Sequence, residues 1–234
     1  MNTKLWPRLI QALIVLSLPI ALLVVNTRIA TGHWFVHWEY HKANFPPDPY
    51  GFSTAERTHL AEVSIDYLAQ NAPLSLLGDL RLPDGNPAFN ERELRHMADV
   101  QVVYSQLMAA GAVAGLVVLW GSVALVFTRG LRSRAPAALV GGSLLTLGLL
   151  IVIGAYMVLQ WDTFFTTFHR IFFAGDTWLF PTSDTLIRLF PMELWIDVAV
   201  VIVGPLVAEA VLIGVAAWVW LRRARPVTLQ TEGE

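Results

Sequence analysis

Hydrophobic residues fall in four long blocks, separated by two segments of different character. Residues 9–25 are apolar and follow Lys4 and Arg8. Residues 100–128 carry no charge; after Arg129, Arg132 and Arg134, residues 135–161 are again uncharged. The last block, 198–221, is interrupted only by Glu209 and ends at Arg222, Arg223 and Arg225. With their flanking residues, these blocks are long enough to cross ~30 Å of hydrocarbon at ~1.5 Å per residue. The pattern predicts spans over about 7–27, 105–128, 136–161 and 195–221, within one membrane domain covering 1–234. The first block is read as a retained span and not a signal peptide, because cleavage at Ala30 would put Arg28 where a small residue is wanted.

The first polar segment, 31–104, contains Pro46-Pro47-Asp48-Pro49, a rigid extended link. Ser53-Thr54-Ala55-Glu56 has capping-box spacing and predicts a helix over 54–70, stopped by Asn71 and Pro73. Leu60, Val63, Tyr67 and Leu68 give that helix an apolar stripe, and Pro83-Asp84-Gly85-Asn86-Pro87 predicts a turn. Asn90 is a cap for a helix with Glu91 and Glu93 in its first turn, continuing into the second span. The second segment, 162–194, is aromatic. It predicts a short helix capped by Asp162 or Thr163 and ended by Gly175.

Composition supports membrane insertion. Charged residues make up 15% of the chain, against ~25% in soluble domains, and the mean hydropathy is +0.54. A net charge of −2 gives no footprint for nucleic acid. Absence of cysteine removes disulfides, thiolate metal sites and a cysteine nucleophile. Charge also orients the spans. Lys4, Arg8 and the two arginine clusters fall on one side, with Glu232 and Glu234 the only acids there, and the positive-inside rule puts that side in the cytoplasm. The expected fold is all-α and integral to a membrane. It has four transmembrane helices, cytoplasmic N- and C-termini and a small helical extracytoplasmic cap.

Candidate chemistry gathers at the outer ends of the spans. His96 and Asp99 are three apart at the head of the second span, so the carboxylate can orient the imidazole. His169 sits among Phe165, Phe172 and Phe173, with Asp176 positioned to return toward it across the Gly175 turn. His96 precedes span two and His169 follows span three, which places both at outer headgroup depth. Arg57 and Arg170 are candidates for binding an oxyanion or headgroup. His33, His37 and His41 are four apart on one helical face, a spacing that suits zinc or copper, yet Trp34 and Trp38 make the same stretch an interfacial anchor. Glu209, deep in the last span, is a costly carboxylate with a functional or helix-joining role. No nucleophile elbow, phosphate-binding loop, His-Glu-x-x-His or dinucleotide fingerprint occurs. Histidines and carboxylates without a serine or cysteine nucleophile favour acid–base chemistry on an amphiphile.

These residues resemble the Lit-type lipoprotein intramolecular transacylases. The resemblance rests on Phe168-His169-Arg170-Ile171-Phe172-Phe173 with Asp176-Thr177-Trp178, on Leu186-Ile187-Arg188-Leu189-Phe190-Pro191 and on His96-Met97-Ala98-Asp99-Val100. Tyr50-Gly51-Phe52 adds a weaker match, and the His33 series lies outside the pattern. The resemblance implies transfer of an sn-2 acyl chain from the diacylglyceryl group of a bacterial lipoprotein to the α-amine of its N-terminal cysteine. His96 and His169 would divide the acid and base roles, in either order. Asp99, Asp176, Arg57, Arg170, Tyr50 and Trp178 would orient groups or bind substrate. The partners would be a diacylglyceryl lipoprotein and membrane lipid, with no cofactor, no metal and no nucleic acid. The alternatives are a noncatalytic lipoprotein-binding or envelope-assembly factor, and a metal-dependent lipid hydrolase using His33, His37 and His41.

Overall fold

The computed structural model describes residues 5–223; Lys4, Arg225, Glu232 and Glu234 of the charge pattern lie outside the described residues. The regular elements among the described residues are helices. They are α1 (Trp6–Ala30), α2 (His33–Tyr40), α3 (Thr54–Ala69), α4 (Ser75–Gly78), α5 (Glu91–Phe127), α6 (Arg134–Leu159), α7 (Trp161–Phe172), α8 (Thr185–Leu189) and α9 (Met192–Arg223). An isolated bridge pairs Arg81 with Pro87 around the turn at 83–87. Four helices, α1, α5, α6 and α9, are long and apolar enough to cross a membrane, matching the four apolar blocks.

Local sequence sets the helix ends. Ser53 Oγ accepts the Glu56 N–H at 3.2 Å and the Glu56 carboxylate accepts the Ser53 N–H at 2.8 Å, a complete capping box at the start of α3. Past the end of α3, Asn71 takes φ 51°, the left-handed conformation that asparagine tolerates. Asn90 Oδ1 accepts the N–H groups of Arg92 and Glu93 at 3.0 and 3.1 Å and opens α5. The 37 residues of α5 make it about 55 Å long at ~1.5 Å per residue, well beyond the hydrocarbon thickness. Its first turns, with Glu91, Arg92, Glu93, Arg95 and Asp99, are therefore a polar extension and not part of the span.

The third apolar block ends earlier than its composition predicts. Gln160 takes φ −143°, ψ 50°, so α6 stops at Leu159 and Trp161 opens α7 on a new axis. Gln160, not Asp162 or Thr163, occupies the N-cap position, and no side chain caps α7. The capping expectation failed because the break comes from one backbone conformation inside an apolar run, leaving Asp162 and Thr163 in the first turn. Gly175 does not end α7 either: the helix stops at Phe172, Phe173 is already extended, and the turn at Gly175, with φ 62°, lies beyond the helix.

The chain divides into two compact units. One comprises the chain up to Leu23, Ala110–Ile153 and the chain from Gly204. Its core is Ile14, Leu125, Ala135 and Ala138. Here helices approach through small residues: a methyl group on Gly142 would lie 2.9 Å from Leu18 carbons, and one on Gly214 would lie 3.1 Å from Ser143 Cβ.

The other unit comprises Val24–Ala109 and Gly154–Val203. One apolar cluster joins Leu60, Tyr67, Phe89, Met97 and Leu189; a second joins Phe35, Val36, Tyr40, Ala61 and Leu194. Side chains bond to distant backbone throughout it. Tyr40 donates to Leu189 O at 2.6 Å, Arg57 to Pro46 O at 2.8 Å and Arg188 O at 2.9 Å, and Gln101 to Tyr67 O at 2.8 Å. These bonds reach carbonyls of the extended link and of the last turns of α3 and α8.

Candidate active site

Both histidines of interest lie in the second unit. His96 stands on the polar extension of α5, one residue before the core residue Met97. Its ring lies 4.9 Å from the Phe173 ring and 5.2 Å from the Phe180 ring. Nδ1 is buried without a hydrogen-bond partner. Burial, and then the nearby His169, push its pKa down to about 4, against a smaller upward pull from Asp99.

His169 is on the last turn of α7. Its Nδ1 lies 2.7 Å from Phe165 O. A carbonyl only accepts, so Nδ1 carries the proton and Nε2 presents a lone pair. Phe165 packs 4.1 Å from the imidazole, and Trp178 stacks on it at 4.7 Å with planes 30° apart. Trp178 is held in that orientation by an Nε1–H bond to Gly175 O at 3.1 Å. Burial lowers the His169 pKa, outweighing the Phe165 bond that favours the charged form.

Phe173 joins the two histidines. Its ring is 4.9 Å from His96 and 5.7 Å from His169. One aromatic setting thus holds two imidazoles from segments far apart in sequence, both biased toward the neutral form. Trp178 belongs to this setting. Asp99 is exposed, and no hydrogen bond links it to His96. Asp176 is exposed in the turn after α7, and Arg170 is exposed beside His169. Arg57 is buried elsewhere, with its guanidinium against the rings of Tyr40 and Phe45. Tyr50 bonds Thr182 Oγ1 at 2.8 Å and lies under the Arg188 guanidinium.

The His33 series divides. His33 Nε2 meets Asp66 at 3.0 Å and His37 Nε2 meets Glu62 at 2.6 Å, both on α3. His41 Nδ1 instead bonds His37 O at 2.7 Å. Among the described residues no group of three or more His, Asp or Glu is arranged to hold a metal ion. Sequence spacing showed the face of α2 but not the carboxylates opposite it. Glu39, the near carboxylate, is buried and pairs with Lys42 at 2.9 Å, and Lys42 also meets Asp197. Glu209 is half-buried on α9, in the first unit. Two contacts near His96 were not read from sequence. Phe180 stood out only as one ring of the aromatic segment around His169 and not as a neighbour of His96, and Glu93 read only as a first-turn acid, although its spacing from Asn90 is that of a cap.

Spans and site together define a membrane-integral, all-helical protein with a paired-imidazole centre at the polar end of a long helix. The sequence model of the lipoprotein intramolecular transacylase Lit family matches residues 12–195. An uncharacterised protein of Aquifex aeolicus is 32% identical over 81% of this chain and 84% of its own length. The solved structure of the membrane-integral lipoprotein intramolecular transacylase Lit from Bacillus cereus is similar in fold, with a TM-score of 0.77, 21% identity and coverage of 93% of this chain and 96% of that one. A form of that protein with one histidine replaced by alanine gives a TM-score of 0.72 at 19% identity, over 93% and 94% of the two chains. The chain belongs to the lipoprotein intramolecular transacylase Lit family, and is accordingly an acyltransferase.

Proposed function

We propose that this chain moves the sn-2 acyl chain of a diacylglyceryl lipoprotein to the α-amine of the N-terminal cysteine, leaving a lyso-form lipoprotein. The observation that carries this reading is the pair of neutral imidazoles sharing Phe173. The substrate amine, with an ordinary pKa of about 7.7–8.0, is mostly protonated at neutral pH and must lose a proton to attack. His169 Nε2 is the base, since its other nitrogen is committed to Phe165 O. The amine nitrogen bonds to the ester carbonyl carbon, the bond to the glyceryl oxygen breaks, and that oxygen takes up the second proton that the nitrogen sheds on becoming an amide, carried by His169 Nε2. His96 is the partner on the oxygen side: as a neutral imidazole it donates a ring N–H hydrogen bond to the substrate oxygen, and a substrate reaching it would meet a ring that otherwise keeps a buried nitrogen unpaired. No acyl-enzyme is needed, because amine and ester belong to one molecule and are held together.

Trp178 fixes the plane of His169, Asp99 acts on His96 through its charge, and exposed Arg170 is the candidate for a headgroup phosphate. Asp176 lies in the same turn. Arg57 and Tyr50 serve by holding the 46–52 segment and α8. The arginine clusters at 129–134 and 222–223 support a cytoplasmic position for those ends under the positive-inside rule, with the histidine pair working at the extracytoplasmic face. The amphipathic α7 suits that interface, with half-exposed Phe168 and Phe172 and exposed Ile171 along one side.

The test is mass spectrometry of a lipoprotein N-terminus after reaction with the purified chain in nanodiscs. His96→Ala and His169→Ala should each slow conversion about 10²–10⁴-fold with folded protein retained. The double variant should be far from additive. Near-normal conversion by either single variant removes that histidine from the mechanism.

A further inference from the structure

Glu93 is a buried carboxylate that the transfer chemistry does not use. It is 1% exposed, one turn before His96 on α5. One oxygen accepts the Asn90 N–H at 2.8 Å, within its own helix cap. The other accepts the Leu186 N–H at 2.7 Å, across 93 residues of sequence, in the first turn of α8. A cap needs only the first bond. The second makes one carboxylate shared by two helix N-termini, both of which favour negative charge. Two neighbouring contacts close the same joint: Thr185 Oγ1 donates to Ala88 O at 2.5 Å, and Arg92 pairs with Asp184 at 2.6 Å.

The joint bears on the histidines through what precedes α8. Residues 173–184 carry Phe173 and Phe180, both packed on His96, and Trp178, stacked on His169. The N-terminal end of that segment leaves α7; its C-terminal end is the joint with α5.

Building on the histidine reading above, we propose that Glu93 is a positioning residue for the transfer: it locks the first turn of α8 to that of α5 and so holds the 173–184 segment against His96. A misplacement of about 1 Å in such a shell is enough to slow turnover about 10²-fold.

The experiment uses the full chain in nanodiscs with a diacylglyceryl lipoprotein. Glu93→Gln keeps the volume but turns an amide NH₂ toward one of the two N–H donors. It is expected to lower kcat about 10²-fold with KM unchanged. Glu93→Asp, which keeps the charge and reaches one donor, should recover part of that loss. In a His96→Ala background, with residual turnover followed over long incubation, Glu93→Gln should cost clearly less than it does with His96 present, because only the route through Trp178 and His169 remains. Normal kcat in folded Glu93→Gln, or the same fractional loss with and without His96, overturns the proposal. Should Glu93→Gln fail to fold, Thr185→Val loosens the same joint and must lower kcat with KM unchanged; normal turnover there overturns the proposal equally. Near-normal turnover by His96→Ala is a different result: it removes the histidine reading on which the proposal stands.

Discussion

Each of the two units of this chain is packed internally by a different kind of force. In the unit of Ala110–Ile153 and the chain up to Leu23 and from Gly204, contacts are close and non-directional: Gly142 against Leu18, Gly121 against Ile10 and Ile14, Gly214 against Ser143. Lipid tails are as apolar as leucine, so shape and dispersion do the work there. In the unit of Val24–Ala109 and Gly154–Val203, short helices bury both apolar clusters and charged groups, and directional bonds fix their register. The candidate chemistry lies in the second kind of environment. Acid–base groups need defined orientation, and carbonyl, indole and carboxylate partners supply it where close packing of small residues does not.

The largest expected effect on stability is in the bonded unit. The Arg188 guanidinium donates to Asp48 at 2.8 Å and sits 3.3 Å from the Phe52 ring centre. Burial raises the proton affinity of Asp48, but the Arg188 bond and the Phe52 N–H outweigh it and hold the carboxyl below its ordinary range. Asp48→Ala leaves a buried cation unpaired and should cost about 3–5 kcal/mol, read as a large drop in melting temperature in detergent. A loss under about 1 kcal/mol would place this pair with surface ion pairs and weaken the contrast.

A smaller effect is expected in the close-packed unit. Gly142→Leu drives side-chain atoms into Leu18 and should cost about 1–3 kcal/mol. Adding Leu18→Ala should return part of that loss, since volume alone is at issue, and the specific activity of the folded fraction should not change. Failure of the second substitution to help would show that Gly142 matters for its backbone and not its size.

Much of this was legible in the sequence. The four spans follow from uncharged length, and α3 from Ser53 and Glu56, because both signals are local. His96 and His169 stood out as titratable groups at the ends of apolar blocks. The contacts of Phe173 and Phe180 with His96 and the second bond of Glu93 were not legible. Each depends on where residues 173–186 return in space, and no periodicity encodes that. Arg57 shows the converse. A lone arginine in a polar segment reads as available for an anion, yet two of its nitrogens serve carbonyls that the extended link and α8 leave open. The break at Gln160 was hidden because hydropathy is continuous across it.

The smallest expected effect tests the bonded unit through protons. His96 has an ordinary pKa of about 6.5 in an unfolded chain and one near 4 in the folded protein, chiefly through burial. The folded-state value is the lower one. Below pH 6.5 the unfolded chain therefore binds a proton that the native protein refuses until about pH 4. The stability contributed by neutral His96 is complete above pH 6.5 and falls as pH drops through the window to about 4. The slope from one such group is at most about 1.4 kcal/mol per pH unit. His169, lowered in the same sense, adds to the slope. The Asp48 carboxyl acts lower: its stabilisation is present above its ordinary pKa and is lost only as pH falls through the depressed folded value. Denaturation in detergent between pH 7.5 and 4.5 should show stability falling with pH, and His96→Gln should flatten that fall. Gly142→Leu should shift the whole curve by the same amount at each pH, because close packing of apolar groups binds no protons. A His96→Gln curve as steep as that of the unaltered chain would mean that the imidazole is already solvated in the native protein, and the buried-pair reading of the site would lose its physical basis.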